Sequence, residues 1–145
     1  MYRHLLIATD GSELAQKAVG EGLALAKELK ATVTAVTVTE PIMSMYAGEG
    51  AIALPIKDLE TAAWTSAEEI LAGVDLASKQ CGVQCKTVHV KDQPPAEGIV
   101  ETAREIKCDL IVMASHGRRG LAKLFLGSQA TRVLSLSPIP VLICK

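Results

Sequence analysis

Aromatic residues make up only 3% of this 145-residue chain. Its core must therefore come from Ala, Val, Leu and Ile, which suits close helix-on-sheet packing. Cysteine is sparse as well. Cys81, Cys85, Cys108 and Cys144 contain no C-x-x-C pair, and no Cys/His cluster at zinc-finger spacing accompanies the C-x3-C of Cys81 and Cys85. Neither a disulfide framework nor a zinc finger is indicated. Scattered reduced thiols fit the cytosol, so a cytoplasmic protein is expected. Met1 to Ile7 includes Arg3 and His4, and its apolar run is too short for a signal peptide. No stretch reaches the roughly 18 apolar residues of a membrane span. The formal net charge of −1 gives no reason to expect a nucleic-acid partner. No linker, repeat or low-complexity tract divides the sequence, so residues 1–145 are expected to form one domain.

What is present alternates between two periods. Arg3 to Ala8 contains HLLIA, a buried strand that runs into the turn Thr9-Asp10-Gly11-Ser12, with Ser12 placed to cap a helix. Leu14 to Leu29 has apolar residues at helical spacing. Thr32 to Thr39, TVTAVTVT, is a β-branched strand. Glu40 to Pro55 shows no firm period and reads as a long loop, of the kind that tends to be functional or mobile. Asp58 to Lys79 predicts a long helix with Leu59, Ala62, Ala63, Ala67, Ile70, Leu71, Val74 and Leu76 available for burial, ended by Gly82. Cys85 to Val90 predicts a third strand, Ala96 to Ile106 a helix after a Pro-Pro turn, and Asp109 to Ala114 the most apolar strand. A Gly-rich segment follows, then a helix through Leu136. Ser137 to Pro140 breaks it, and Val141 to Cys144 closes the chain as a fifth strand. Strands alternating with helices imply right-handed βαβ units and a doubly wound parallel sheet with helices on both faces.

In such a sheet, ligands bind beyond the carboxyl ends of the strands. Two loops there carry suggestive residues: Ala8 to Ser12, and Met113 to Gly120 continuing to Gly127-Ser128. The second resembles a phosphate cradle. Gly117 and Gly120 allow close backbone approach, and successive N–H groups can form an anion nest. Gly127-Ser128 opens a helix whose first N–H groups favour phosphate. Arg118 and Arg119 add charge. The same glycines could equally serve tight turns and helix packing, with both arginines solvated. Asp10 either accepts from a ribose hydroxyl or adenine amine, or closes an Asx-type turn, and the two roles are compatible. No G-x-x-x-x-G-K-[ST] occurs, and Gly20-Glu21-Gly22 fails the dinucleotide fingerprint because Leu25 stands at the third glycine position.

LLIATDGSELAQKAV, the segment from Ala114 to Ser128, Gln129 to Leu134, and Pro138-Ile139-Pro140-Val141-Leu142-Ile143 together resemble the universal stress protein (UspA) family over essentially the whole chain. Nucleotide-binding members carry G-x2-G-x9-G-[ST]. Here Gly117, nine residues and Gly127-Ser128 match, while Ala114 replaces the first glycine. The resemblance implies a five-stranded sheet of order 3-2-1-4-5 with the adenine nucleotide alpha hydrolase-like fold. It implies ATP or AMP, with possible Mg2+ alongside ATP, bound by Ala8, Thr9, Asp10, Val38, Met113 and Ala114. The phosphate side would be His116, Gly117, Arg119, Gly120, Gly127, Ser128 and Gln129. Val38 would offer backbone groups to the adenine edge, and the 40–55 loop could fold over the base. It also implies a homodimer through Val141 to Cys144.

The expected function is therefore a stress-response protein, a nucleotide-responsive dimeric sensor or adaptor read by a protein partner, rather than an enzyme. A structural dimer with an empty pocket is the alternative, kept open by Ala114. A slow ATPase has less behind it, since His116 has no carboxylate partner in sequence. A phosphoacceptor receiver would need several carboxylates at the strand ends, and strand one offers only Asp10.

Overall fold

The computed structural model describes residues 1–45, 55–118 and 125–145. Strand β1 (His4–Ala8) has four of its five residues buried and lies at the centre of the sheet. It pairs in parallel with β2 (Thr32–Thr39) on one side and β4 (Leu110–Ala114) on the other. β3 (Cys85–Lys91) and β5 (Val141–Cys144) complete the order β3-β2-β1-β4-β5, as expected.

The period of two along β1 divides the core. Leu5 and Ile7 join an apolar cluster with Ala18 and Leu23 of α1 (Glu13–Leu29) and with Leu71 and Val74 of α3 (Ile56–Cys81). Leu6 and Ala8 face the other way. They pack with Ile99 and Ala103 of α4 (Pro95–Glu105) and Val133 of α5 (Ser128–Leu136). With both faces covered, the central strands can be apolar throughout, which is why β1 and β4 read as unbroken hydrophobic runs. The chain winds outward from β1 to β3, returns across the sheet to β4, and so opens a crevice between the carboxyl ends of β1 and β4.

Helix ends follow local chemistry. Ser12 caps α1 by accepting from the Ala15 N–H at 3.3 Å. Gly82, at φ 74°, ends α3 in the left-handed conformation that glycine adopts without a Cβ penalty. α3 is longer than its strands require. Its 26 residues span about 39 Å at 1.5 Å per residue. The eight residues of β2 span about 26 Å. The amino-terminal part of α3 therefore overhangs the carboxyl ends of the strands.

Several expectations needed correcting. α3 starts at Ile56 rather than Asp58, with Pro55 as its first bounding residue. The expected 40–55 loop contains one helical turn, α2 (Ile42–Met45), and residues 46–54 lie outside the described residues. Leu76 is 59% exposed. The buried stripe of α3 runs Ala67, Leu71, Val74, Ser78, and Leu76 projects from the opposite side, two residues round from Val74. No helix among the described residues is long and apolar enough to cross a membrane.

Candidate functional site

A cavity of about 820 Å³ occupies the crevice. Its floor is the strand ends: Ala8 and Thr9 of β1 and its turn, Val36 to Thr39 of β2, and Met113 and Ala114 of β4. The overhang of α3 forms one wall with Leu59, Ala62, Ala63 and Ser66, and the start of α4 forms another with Pro95 and Ile99. The loop Ser115 to Arg118 and the first turn of α5 close a third side. This volume is in the range of small-molecule sites.

Asp10 holds two loops together. Its Oδ1 accepts from the Ser12 N–H at 3.0 Å, an Asx-type turn. Its Oδ2 accepts from the Arg118 N–H at 2.8 Å, across 108 residues. Gly117 sits against the same carboxylate, and a Cβ there would lie 2.4 Å from Oδ2. Close approach, rather than unusual dihedrals, requires glycine at this position. The two loops that sequence reasoning put on one crevice do meet there.

The far end of the second loop is equally tight. The Gly127 N–H donates to the Ser115 carbonyl at 2.8 Å, and a Cβ on Gly127 would lie 2.6 Å from that oxygen. Gly127 occupies the N-cap position of α5 and offers no side-chain acceptor. Among the described residues no side chain caps the first turn of α5, which borders the cavity, in contrast to the Ser12-capped α1. Ser115 Oγ lies 3.1 Å from His116 Nδ1, and the Ser115 N–H donates to the Cys144 carbonyl at 2.8 Å. The loop is thereby tied directly to β5.

Ala8, Thr9, Asp10, Val38, Met113, Ala114, His116, Gly117, Gly127, Ser128 and Gln129 all border the cavity. Arg119 and Gly120 lie outside the described residues. Ala114 closes β4 in register with Cys144, and its methyl belongs to the apolar cluster beneath α1 and α3. Its φ is outside the left-handed region, which among the described non-glycine residues holds only Lys30, Asp92 and Lys107. Alanine is therefore unstrained at this position. Sequence reasoning missed the α3 wall. The only signal was the set of small residues Ala62, Ala63, Ser66 and Ala67 on one helical face, which leaves room between helix and strand ends. It also left Ser115 and Thr37 out of the site, and treated Arg118 only as a source of charge.

A family model described as "Universal stress protein family" matches residues 1–145. Universal stress protein MJ0531 of Methanocaldococcus jannaschii is 35% identical over 147 residues, covering 100% of this chain and 83% of that protein. Among solved structures, hypothetical protein MJ0577 superposes with a TM-score of 0.83 at 27% identity, over 100% of this chain and 96% of the other. A universal stress protein in complex with cAMP gives a TM-score of 0.75 at 25% identity, over 99% of this chain and 97% of that one.

Proposed function

Because the chain belongs to the universal stress protein family, we propose that its cavity binds an adenine nucleotide, ATP or AMP, and that the protein works as a cytoplasmic, homodimeric nucleotide-responsive sensor or adaptor rather than as an enzyme. The observation that carries the reading is the first turn of α5, which borders the cavity without a side-chain cap among the described residues. Its N–H groups and the positive end of the helix favour phosphate there. The cAMP-bound relative supports the ligand class.

The nucleotide lies with its base toward Val38 and the start of α4, and its ribose at Asp10. That carboxylate accepts two backbone N–H groups and has lone pairs left for hydroxyl groups. The phosphates lie among Gly117, Gly127, Ser128 and Gln129, with His116, Arg119 and Gly120 on the same loop. A Mg2+ accompanying ATP would take oxygen ligands, and would offset phosphate charge, with Asp10 the carboxylate that borders the cavity beside the Gly117 loop. His116 is held at Nδ1 by a hydroxyl rather than by a carboxylate, which suits binding better than general-base work.

Dimerisation uses β5. Among the described residues this strand pairs only with β4, and Leu142 is 39% exposed on it. The Ser115–Cys144 bond links that edge to the phosphate loop, so ligand and dimer are structurally adjacent. The four free thiols suit a reducing compartment.

Calorimetry with ATP, AMP and GTP tests the ligand, and light scattering of the same samples tests the dimer. ATP or AMP should bind, and ligand at a hundred times its dissociation constant should add about 2.7 kcal/mol of stability. Leu142→Lys should give monomers. No heat and no melting shift at millimolar nucleotide would refute the sensor and leave a structural dimer as the function.

A further inference from the structure

The period of two along β2 and β3 leaves a polar layer beneath α3. Val36, Val38, Val88 and Val90 belong to the cluster under α4. The alternate residues Thr37 and Thr39 of β2, and Thr87, His89 and Lys91 of β3, therefore lie on the α3 side. There Thr87 and His89 form a groove of about 360 Å³ with Glu68, Leu71, Ala72 and Asp75 of α3. His89 Nε2 lies 2.7 Å from Thr39 Oγ1, across 50 residues, and Thr39 borders the nucleotide cavity. One hydrogen bond thus links the groove to the cavity.

The charges around His89 come from several elements. Burial, and then the Lys91 cation on the same strand, hold the ring below its ordinary value of 6.5, while the Glu68 carboxylate of α3 opposes them. Lys91 itself lies over the Trp64 ring of α3, 4.0 Å from its centre. Asp75 of α3 is paired with Lys79 at 2.7 Å. β2 brings only neutral threonines to this layer, with Glu40 following Thr39 at the border of the cavity. At pH 7 the ring is therefore mostly neutral, and its Nε2 can accept from the Thr39 hydroxyl or donate to it. In the charged ring both nitrogens donate.

We propose that the Thr39–His89 pair is a proton-sensitive switch on ligand affinity: once His89 is protonated, Thr39 Oγ1 can only accept from it, and the hydroxyl hydrogen turns to an acceptor atom of the ligand in the cavity. This rests on the adenine-nucleotide reading above and adds a regulation to it. The proton is taken from solvent onto the ring, and none passes to the ligand. Two effects share one sign. The freed hydroxyl adds a donor for the ligand, and the imidazolium adds positive charge near an anion. Affinity therefore rises as pH falls through the titration of His89, below 6.5. By linkage, bound ligand raises the pH at which His89 titrates.

Two measurements test this, ATP calorimetry between about pH 8 and pH 5 and NMR titration of the histidine rings over the same range. His89→Gln keeps a hydrogen-bonding partner for Thr39 but takes up no proton. Phosphate titration and any effect of His116 are common to both proteins. Wild type should gain about three- to tenfold more affinity towards low pH than His89→Gln. The His89 midpoint, assigned by its loss in His89→Gln, should move up by about 0.5–1 in pH with saturating ATP. Thr39→Val keeps the branched shape without the hydroxyl, and should lose most of both effects. Equal pH profiles in wild type and His89→Gln overturn the proposal, as does a midpoint that ATP leaves in place. Full effects in Thr39→Val overturn the hydroxyl as the switch. If wild type binds no ATP at any pH, the nucleotide reading itself fails. If it binds ATP with the profile of His89→Gln, only the switch fails.

Discussion

Replacing Gly117 by alanine isolates the contact between the two loops of the site. Gly117 does not have a positive φ, so alanine costs nothing in backbone strain. What it meets is Asp10 Oδ2, 2.4 Å from the new Cβ. The carboxylate must swing away, and the 2.8 Å bond from the Arg118 N–H is the first casualty. A hydrogen bond to a charged group contributes about 1.5–3 kcal/mol. Asp10 is only half-buried and Arg118 is exposed, so solvent screening brings the loss to about 1–2 kcal/mol. At roughly 3 °C per kcal/mol, melting should fall by about 3–6 °C. Nucleotide affinity should fall with it, because Asp10 leaves the ribose position. The assay is a double-mutant cycle with Asp10→Ala, read by thermal melting and ATP calorimetry. If Asp10 is the obstacle, Gly117→Ala in the Asp10→Ala background should cost under about 0.5 kcal/mol. An equal cost in both backgrounds would refute the reasoning, and so would a Gly117→Ala protein that melts and binds like wild type.

The two glycines of α1 should respond oppositely to alanine. Gly20 is exposed with nothing within 4 Å of an added Cβ, so Gly20→Ala should gain about 0.5–1 kcal/mol in urea unfolding from helix propensity. Gly22 is buried, and its Cβ would lie 2.7 Å from Cδ1 of the fully buried Ile7, so overpacking should outweigh propensity for a net loss of about 1 kcal/mol. Stability should also fall in alkali. Burial pushes the Cys108 thiol up to about 11, and burial with the Glu21 carboxylate beside it does the same for Cys144. In the unfolded chain both thiols ionise near the ordinary value of 9.0. From pH 9 to 11 the unfolded state therefore binds fewer protons than the folded one, and unfolding free energy declines as pH rises, with the contribution intact below that window. Urea midpoints measured at pH values below and within the window should show a drop that the Cys108→Ala, Cys144→Ala protein reduces.

Much of the fold was legible because its signals are local. LLIA of β1 and LIVMA of β4 are apolar throughout since both faces of these strands are covered, and TVTAVTVT carries its β-branched preference in plain view. Gly82 and the Pro-Pro pair marked real helix boundaries. What was not legible is non-local or too short to have a period. One turn of helix at Ile42–Met45 has no repeat to detect. The wall formed by α3 depends on the difference in length between a helix and the strands it crosses, which no single segment displays. Arg118 joins the site through a backbone N–H aimed at Asp10, and no side-chain pattern records that. The cap on α4 is supplied from another helix, where Gln129 Oε1 accepts from the Ala96 N–H at 3.2 Å, so the sequence around Pro94 shows only that a cap is lacking.

The central claim is that an adenine nucleotide occupies the crevice with its phosphates at the start of α5. A two-dimensional amide NMR spectrum titrated with ATP tests binding and location together. The account predicts saturable shifts centred on Gly117, Gly127, Ser128 and Gln129, with smaller ones at Asp10 and Val38. An unchanged spectrum at millimolar ATP would contradict it. Shifts confined to the separate groove between α3 and β3, around Glu68 and His89, would contradict it equally.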